Sequence, residues 1–130
     1  MILLDTCVLV FDALAPDRLS GVARDALARA EVAGALACAD ISLWEIVMLI
    51  SKGRLDPGTN ATEFLEDVIA ARRLRVLPIT PQIAGLAQET GLTRGDPADR
   101  LIAATAIHLG ARLITADTTL RALKAVDTIW

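Results

Sequence analysis

The sequence of 130 residues is poor in the side chains that many binding and catalytic sites use. It contains no tyrosine, two phenylalanines, two cysteines and one histidine. So few aromatic residues exclude an extensive surface for stacking nucleic-acid bases. A zinc centre built from histidine and cysteine is excluded on the same grounds, because such a centre needs three or four of these ligands. Cys7 and Cys38 each stand in an apolar segment, and we expect both to be buried, reduced thiols.

A membrane-spanning segment is also missing from the sequence, although 54% of its residues are hydrophobic. No apolar run approaches the ~18 residues that cross a bilayer, and Glu45 interrupts the strongest candidate. The chain starts on a strand-like run, without a basic leader or a cleavage-site pattern. We therefore expect a single cytoplasmic domain over residues 1–130. A net charge of −3 does not by itself indicate a nucleic-acid partner, but acids that are neutralised by a metal would not repel phosphate.

Four acidic residues interrupt or end strongly apolar segments, and they are the most informative feature of the sequence. They are Asp5, Glu45, Asp99 and Asp117. A carboxylate is rarely buried without a partner, because removing an isolated anion from water is very costly. Four acids drawn towards one apolar interior therefore require a cation. Hard oxygen ligands without a histidine or cysteine cluster favour Mg²⁺ or Mn²⁺ over zinc.

The hydrophobic pattern predicts strands that alternate with helices, which is typical of an α/β domain with a parallel sheet of about five strands and helices on both faces. We predict strands at 2–5, 35–38, 75–79, 112–115 and 127–130, and helices at 7–13, 20–33, 41–52, 60–73, 81–89, 97–109 and 118–125. Asp5 and Asp117 follow strands, whereas Glu45 and Asp99 fall in the first turns of helices. Ligands of such sheets bind at the carboxyl ends of the strands, so all four acids are expected to converge on that edge.

Each acid also has a purely structural explanation. Asp5, Asp96 and Asp117 precede helices and are good N-cap residues, and Asp99 is a favourable charge near a helix start. Glu45 has few polar neighbours at helical spacing, although an arginine from elsewhere could pair with it. Asp99 shares a face with apolar residues that should point inward. No single acid decides between a cap and a metal ligand, but the set favours a metal site.

Four short blocks in order along the chain resemble the signature blocks of the PIN-domain family, and most closely its VapC-type ribonuclease toxins. They are residues 4–9, 42–46, 96–106 and 113–117. The resemblance implies the PIN fold and a Mg²⁺ site, which Mn²⁺ would also fill, ringed by Asp5, Glu45, Asp99 and Asp117. Of these, Asp5, Asp99 and Asp117 would hold the metal, Asp117 either directly or through water. Glu45 would position the attacking water or help to bind a second metal. It also implies a supporting role for Thr6, Ser42, Asp96 and Thr115.

The same resemblance implies a biological role. VapC-type proteins are toxins of type II toxin–antitoxin pairs, so we expect a Mg²⁺-dependent endoribonuclease with RNA as substrate and a small antitoxin as partner. Separately, the helical segments 41–52 and 60–71 are more apolar than a lone small domain needs, which favours a homodimer or burial by the antitoxin. RNA phosphates need cationic side chains. Arg94 and Arg100 flank the third block and are our candidates. Trp44 is expected in the core or at a subunit contact.

The sequence is also compatible with two other functions. The first is a non-catalytic PIN-fold module that acts through protein contacts. The second is a metal-dependent phosphatase or receiver-like domain, which also places acids at the ends of parallel strands. A receiver would need two adjacent acids after its first strand and a lysine late in the chain. The sequence offers only Asp5 and Lys124 for these positions.

Overall fold

The described strands form one parallel sheet, as the sequence predicts. The computed structural model describes residues 1–89, 91 and 96–130. Within them the strands are β1 (Ile2–Leu4), β2 (Leu36–Ala39), β3 (Arg75–Leu77), β4 (Arg112–Ile114) and β5 (Thr128–Ile129). They pair in the order β3-β2-β1-β4-β5, and every pairing is parallel. A receiver-like sheet has the order 2-1-3-4-5, so the receiver alternative is wrong.

Helices connect the strands, and most of them begin and end close to the predicted positions. They are α1 (Thr6–Leu14), α2 (Gly21–Val32), α3 (Asp40–Ser51), α4 (Ala61–Arg72), α5 (Pro81–Leu86), α6 (Pro97–Leu109) and α7 (Thr118–Arg121), with a 3₁₀ turn at Pro16–Arg18. The sequence did not predict the 3₁₀ turn, and α5 and α7 are shorter than expected. None of the helices that the structure describes is both long enough and apolar enough to cross a membrane.

The sheet is covered on both faces, because alternate residues of a strand point to opposite sides. Leu4 and Ile114 face a cluster that includes residues of α1, α2 and α4. Leu3 and Leu113 face the other way, towards α6 and α7. The side chains that α6 contributes to this cluster are two alanines, Ala103 and Ala106, and two isoleucines, Ile102 and Ile107. The predicted α/β architecture is thus confirmed.

Two side chains differ from their predicted surroundings. Trp44 is 56% exposed, so it does not lie in the core. Both cysteines are free thiols, as predicted, but only Cys38 is buried, whereas Cys7 is half-buried. The fold therefore leaves a large aromatic ring on the surface of α3 and a thiol near the start of α1.

The strand order fixes where a site can form. The chain leaves β1 for β2 on one side of it and later returns to β4 on the other side, so the strand order reverses at β1. Asp5 follows β1 and Asp117 lies three residues beyond the end of β4. These two acids therefore lie at the switch point of the sheet, where α/β proteins bind their ligands.

Candidate metal centre

Asp5 is the most deeply buried of the predicted site acids, with 4% of its surface exposed. Its Oδ1 accepts a hydrogen bond from the backbone N–H of Thr6 at 2.8 Å, which caps α1. Its Oδ2 accepts one from the hydroxyl of Thr115 at 2.6 Å. Burial raises the pKa of Asp5, and the Thr115 hydrogen bond opposes that rise. The carboxylate is thus held in one orientation at the end of β1.

Thr115 links Asp5 to Asp117. Besides donating to Asp5, its Oγ1 accepts a hydrogen bond from the backbone N–H of Asp117 at 3.0 Å. The Oδ1 of Asp117 accepts hydrogen bonds from the N–H groups of Thr119 and Leu120, at 2.8 and 3.1 Å. Asp117 is therefore the N-cap of α7, and its carboxylate stays at the same sheet edge as Asp5.

Glu45 approaches from the second turn of α3, within the first turns of the helix as predicted. The hydroxyl of Thr6 donates to Oε1 of Glu45 at 2.5 Å and lies 2.9 Å from the hydroxyl oxygen of Ser42. Burial raises the pKa of Glu45 to about 7, and a hydrogen bond with the Asp96 carboxyl group raises it as well. The structure therefore joins α1, α3 and the start of α6 through polar side chains.

The start of α6 carries two further acids. Asp96 is the N-cap, and its Oδ1 accepts a hydrogen bond from the N–H of Ala98 at 3.0 Å. Asp99 lies in the first turn and is half-buried. Burial raises the pKa of Asp99 to about 7, and the negative charges of Asp5, Asp117 and Asp96 raise it further. Acids on three separate elements thus interact electrostatically.

One cleft of about 410 Å³ collects these groups. It is lined by Asp5, Thr6, Cys7, Phe11, Glu45, Leu49, Asp96, Asp99, Ala116 and Asp117. The ion pairs among the described residues join Arg72 to Asp12 and Glu31, and Arg112 to Asp127, so none of them includes an acid of the cleft. Close carboxylates that form no ion pair with a cation among the described residues favour a metal ion from solution.

The donor set suits a hard divalent ion. Carboxylate oxygens and hydroxyl groups are the ligands that Mg²⁺ and Mn²⁺ prefer. Within residues 1–89, 91 and 96–130, however, no three acidic, histidine or cysteine side chains already form a coordination group for one ion. The chemistry of the cleft therefore fits such an ion, and its half-buried acids would change rotamer to bind it.

Most of the predicted site residues meet at this cleft. Ser42 and Thr115 are buried behind its wall and contact residues that line it. Arg100 is half-buried on α6 and is not a lining residue, whereas Arg94 falls outside the described residues. The predicted phosphate contacts of these two arginines stay predictions.

The sequence interpretation missed some of the lining residues. Cys7 and Phe11 lie two and six positions after Asp5, and Leu49 lies four positions after Glu45. The signal was present, because residues four apart share one face of a helix. A helix that begins directly after a site aspartate brings the side chains of its first turns to that site.

Comparison with known proteins agrees with this geometry. The model of the PIN-domain family matches residues 2–126. A relative, Ribonuclease VapC22 of Mycobacterium tuberculosis, is 38% identical over an alignment of 132 positions, which covers 99% of this chain and 98% of that protein.

Solved structures show the same fold at lower identity. A chain in the structure of VapBC2 from Rickettsia felis bound to a promoter DNA fragment is 20% identical, with a TM-score of 0.75 over 98% of this chain and 97% of that one. A chain of DNA-bound VapBC from Salmonella typhimurium is 18% identical, with a TM-score of 0.71 over 98% and 95%. A chain of FitAcB from Neisseria gonorrhoeae is 22% identical, with a TM-score of 0.64 over 98% and 96%. From its first strand to its last helix, this chain belongs to the PIN-domain family, in its VapC-type branch.

Proposed function

We propose that this chain is a metal-dependent endoribonuclease that acts as the toxin of a type II toxin–antitoxin pair. The observation that carries the proposal is the convergence of Asp5, Glu45, Asp99 and Asp117 on one cleft at the switch point of the sheet. The relative that is 38% identical over nearly the whole chain is named a ribonuclease, which supports RNA as the substrate. A single domain over residues 1–130 is part of this proposal.

Mg²⁺ is the ion that we propose for the cleft, with Mn²⁺ able to replace it. Asp5, Asp99 and Asp117 would hold it. When bound, such an ion supplies positive charge at the scissile phosphate and activates water for hydrolysis. Asp5 is prepared for this role, because the hydrogen bonds from Thr6 and Thr115 fix its orientation. Asp99 has no such hydrogen bond to another side chain among the described residues and is free to turn towards the ion.

Glu45 is the residue that we propose to position the attacking water and to accept its proton. A pKa of about 7 suits a group that gains and loses protons near neutral pH. The hydroxyl of Thr6 holds one oxygen of Glu45, and Ser42 supports that hydroxyl. Asp96 raises the pKa of Glu45 through a hydrogen bond and through its negative charge, and so tunes the basicity of Glu45.

The proposed partners are a small antitoxin and a second copy of this chain. Structurally similar chains were solved in VapBC assemblies, which supports an antitoxin partner. Trp44 and Val47 are 56% and 37% exposed on α3, and a homodimer interface would cover them. A cytoplasmic location follows from the proposed RNA substrate.

Cleavage of total RNA tests the function. Purified protein free of antitoxin would be incubated with RNA in Mg²⁺, in Mn²⁺ and in chelator. We expect fragments only with a metal, and a loss of about a hundredfold to a thousandfold in Asp99→Asn, because one electrostatic group of the site is removed. Asp25→Asn is the matched control, since it changes an exposed aspartate on α2 that does not line the cleft.

The other outcomes are equally informative. Equal cleavage by the wild type and Asp99→Asn would mean a contaminant or a different active site. Binding of metal to the wild type, without cleavage of any RNA, would favour the alternative of a non-catalytic PIN-fold module.

A further inference from the structure

We propose that Arg18 is a phosphate-binding residue at the rim of the acidic cleft and that it contacts the RNA backbone beside the scissile bond. The inference rests on the proposed ribonuclease function and assigns a substrate-binding residue to it. The guanidinium carbon of Arg18 lies 4.2 Å from the centroid of the Phe11 ring. Phe11 itself lines the cleft that holds the acids. The guanidinium of Arg18 therefore packs on a residue that lines the acidic cleft.

Stacking on Phe11 prepares the guanidinium for an anion. An arginine that lies over an aromatic face keeps its N–H donors free in the plane of the group, where they match a phosphate in a bidentate manner. The Phe11 ring is also in contact with the Trp130 ring, with 6.5 Å between centroids and 54° between planes. The packing of Phe11 against Trp130 limits the movement of the ring, and thus of the cation above it.

The turn that carries Arg18 is well anchored. Arg18 closes the 3₁₀ turn Pro16–Arg18, where its backbone N–H bonds to Ala15 O at 2.9 Å. The next residue, Leu19, is buried with 6% of its surface exposed. The side chain of Arg24 donates to Pro16 O at 2.9 Å and ties the turn to α2. A cation on such a turn loses little entropy when it binds a phosphate.

The charge of Arg18 is not neutralised by a carboxylate in the part of the chain that the structure describes. The arginines that form ion pairs within that part of the chain are Arg72 and Arg112, each with acidic partners. The cleft beside Arg18 is acidic, so a polyanion needs cationic contacts at its edge in addition to the metal. Arg18 is exposed and packs on Phe11, the residue of α1 that lines the cleft, so it meets this requirement.

An RNA-binding measurement tests the role of Arg18 separately from catalysis. All proteins would carry Asp99→Asn, so that a labelled, mixed-sequence single-stranded RNA stays intact in Mg²⁺, which a gel would check. Fluorescence anisotropy would give the Kd at several salt concentrations. We expect Arg18→Gln to weaken binding about tenfold, since it loses a charge-assisted hydrogen bond. The slope of log K against log salt should fall by about 0.7, the value for one phosphate contact on a single strand.

Arg29→Gln is the matched control, because Arg29 is an exposed arginine at the opposite edge of the sheet, away from the acids. It should leave the Kd and the slope close to the starting values. Arg18→Lys should keep the salt slope but bind less tightly, since lysine lacks the planar donors. Phe11→Leu should weaken binding while all charges stay in place.

The results separate this inference from the proposed function. If Arg18→Gln and Arg29→Gln change the Kd and the slope equally, Arg18 does not contact the phosphate, whatever the wild type does to RNA. If the wild type fails to cleave RNA but Arg18→Gln alone weakens binding, the ribonuclease proposal fails and the phosphate contact stands. Circular dichroism and thermal melting would establish that each variant is folded.

Discussion

At the scale of single residues, one hydroxyl group connects two acids of the cleft. Thr115 donates to Asp5 and accepts from the backbone of Asp117, and its side chain is fully buried. Thr115→Val keeps the shape but leaves both groups without this partner. We expect the free energy of unfolding in urea to fall by about 1–3 kcal/mol. Metal-dependent cleavage should fall about tenfold, because Asp5 is no longer held in place.

Thr105 provides the matched control for this variant. It is also buried, but its hydroxyl donates to Leu101 O inside α6. Thr105→Val should leave the rate of cleavage unchanged. If Thr115→Val cleaves RNA as fast as Thr105→Val, the hydroxyl does not position the site.

The raised pKa values of two acids predict how stability depends on pH in the absence of metal. In the folded chain the pKa of Asp99 and that of Glu45 are each about 7, against ordinary values of 3.8 and 4.5. Between these values and 7 the folded state binds more protons than the unfolded state, so stability falls as pH rises through this window. With chelator, we expect roughly 1–2 kcal/mol to be lost between about pH 5 and pH 8, a figure reduced for screening at half-exposed sites.

Urea denaturation at both pH values, with chelator and with Mg²⁺, would measure this effect. Asp99→Asn should lose less stability than the wild type, because one of the mutually repelling charges is gone. Mg²⁺ should stabilise the wild type more at the higher pH, where the acids are ionised. A metal-free protein that becomes more stable as pH rises would contradict the cluster of interacting acids.

At the scale of elements, the sequence predicts most of the fold and much of the site. Apolar runs, helical periodicity and clear cap residues identify the strands and helices in the sequence, because these signals are local. The 3₁₀ turn at Pro16–Arg18 has no comparable signal. Helix α4 ends at Arg73, whose φ of 51° lies in the left-handed region that favours glycine. Because the residue there is an arginine, the sequence contains no signal for this helix end. Contacts such as Arg18 on Phe11 depend on the path of a turn, so periodicity does not predict them.

The start of α4 illustrates a local signal of which the structure confirms one half. The spacing of Asn60 and Glu63 predicts a capping box, and Oδ1 of Asn60 accepts the N–H of Glu63 at 2.8 Å, whereas the Glu63 carboxylate accepts from the side chains of Thr59 and Asn60. Asn60→Ala should lower the free energy of unfolding in urea by about 1 kcal/mol. Cleavage should stay unchanged, because α4 contributes no lining residue to the acidic cleft. Asn60→Asp keeps the accepting oxygen and should be close to the wild type, and an equal loss in both variants would contradict the cap.

At the scale of the whole molecule, the carboxyl and amino edges of the sheet differ in charge. The carboxyl edge gathers the acids of the cleft, whereas Arg29 and Arg112 line a cavity at the other edge. Helices α1, α6 and α7 begin at the acidic edge, with Asp5, Asp96 and Asp117 as their N-caps. The positive ends of these helices reduce the cost of gathering the acids. The same residues thus begin the helices and form the site.

The exposed apolar residues of α3 indicate how the molecule assembles. Trp44 and Val47 lie three positions apart on one exposed side of this helix, and a homodimer would remove them from water. We expect the wild type to sediment as a dimer, and the double variant Trp44→Ser, Val47→Thr to sediment as a folded monomer. Val22→Thr, which changes an exposed valine on α2, should stay dimeric. A monomeric wild type would assign the apolar side of α3 to another partner.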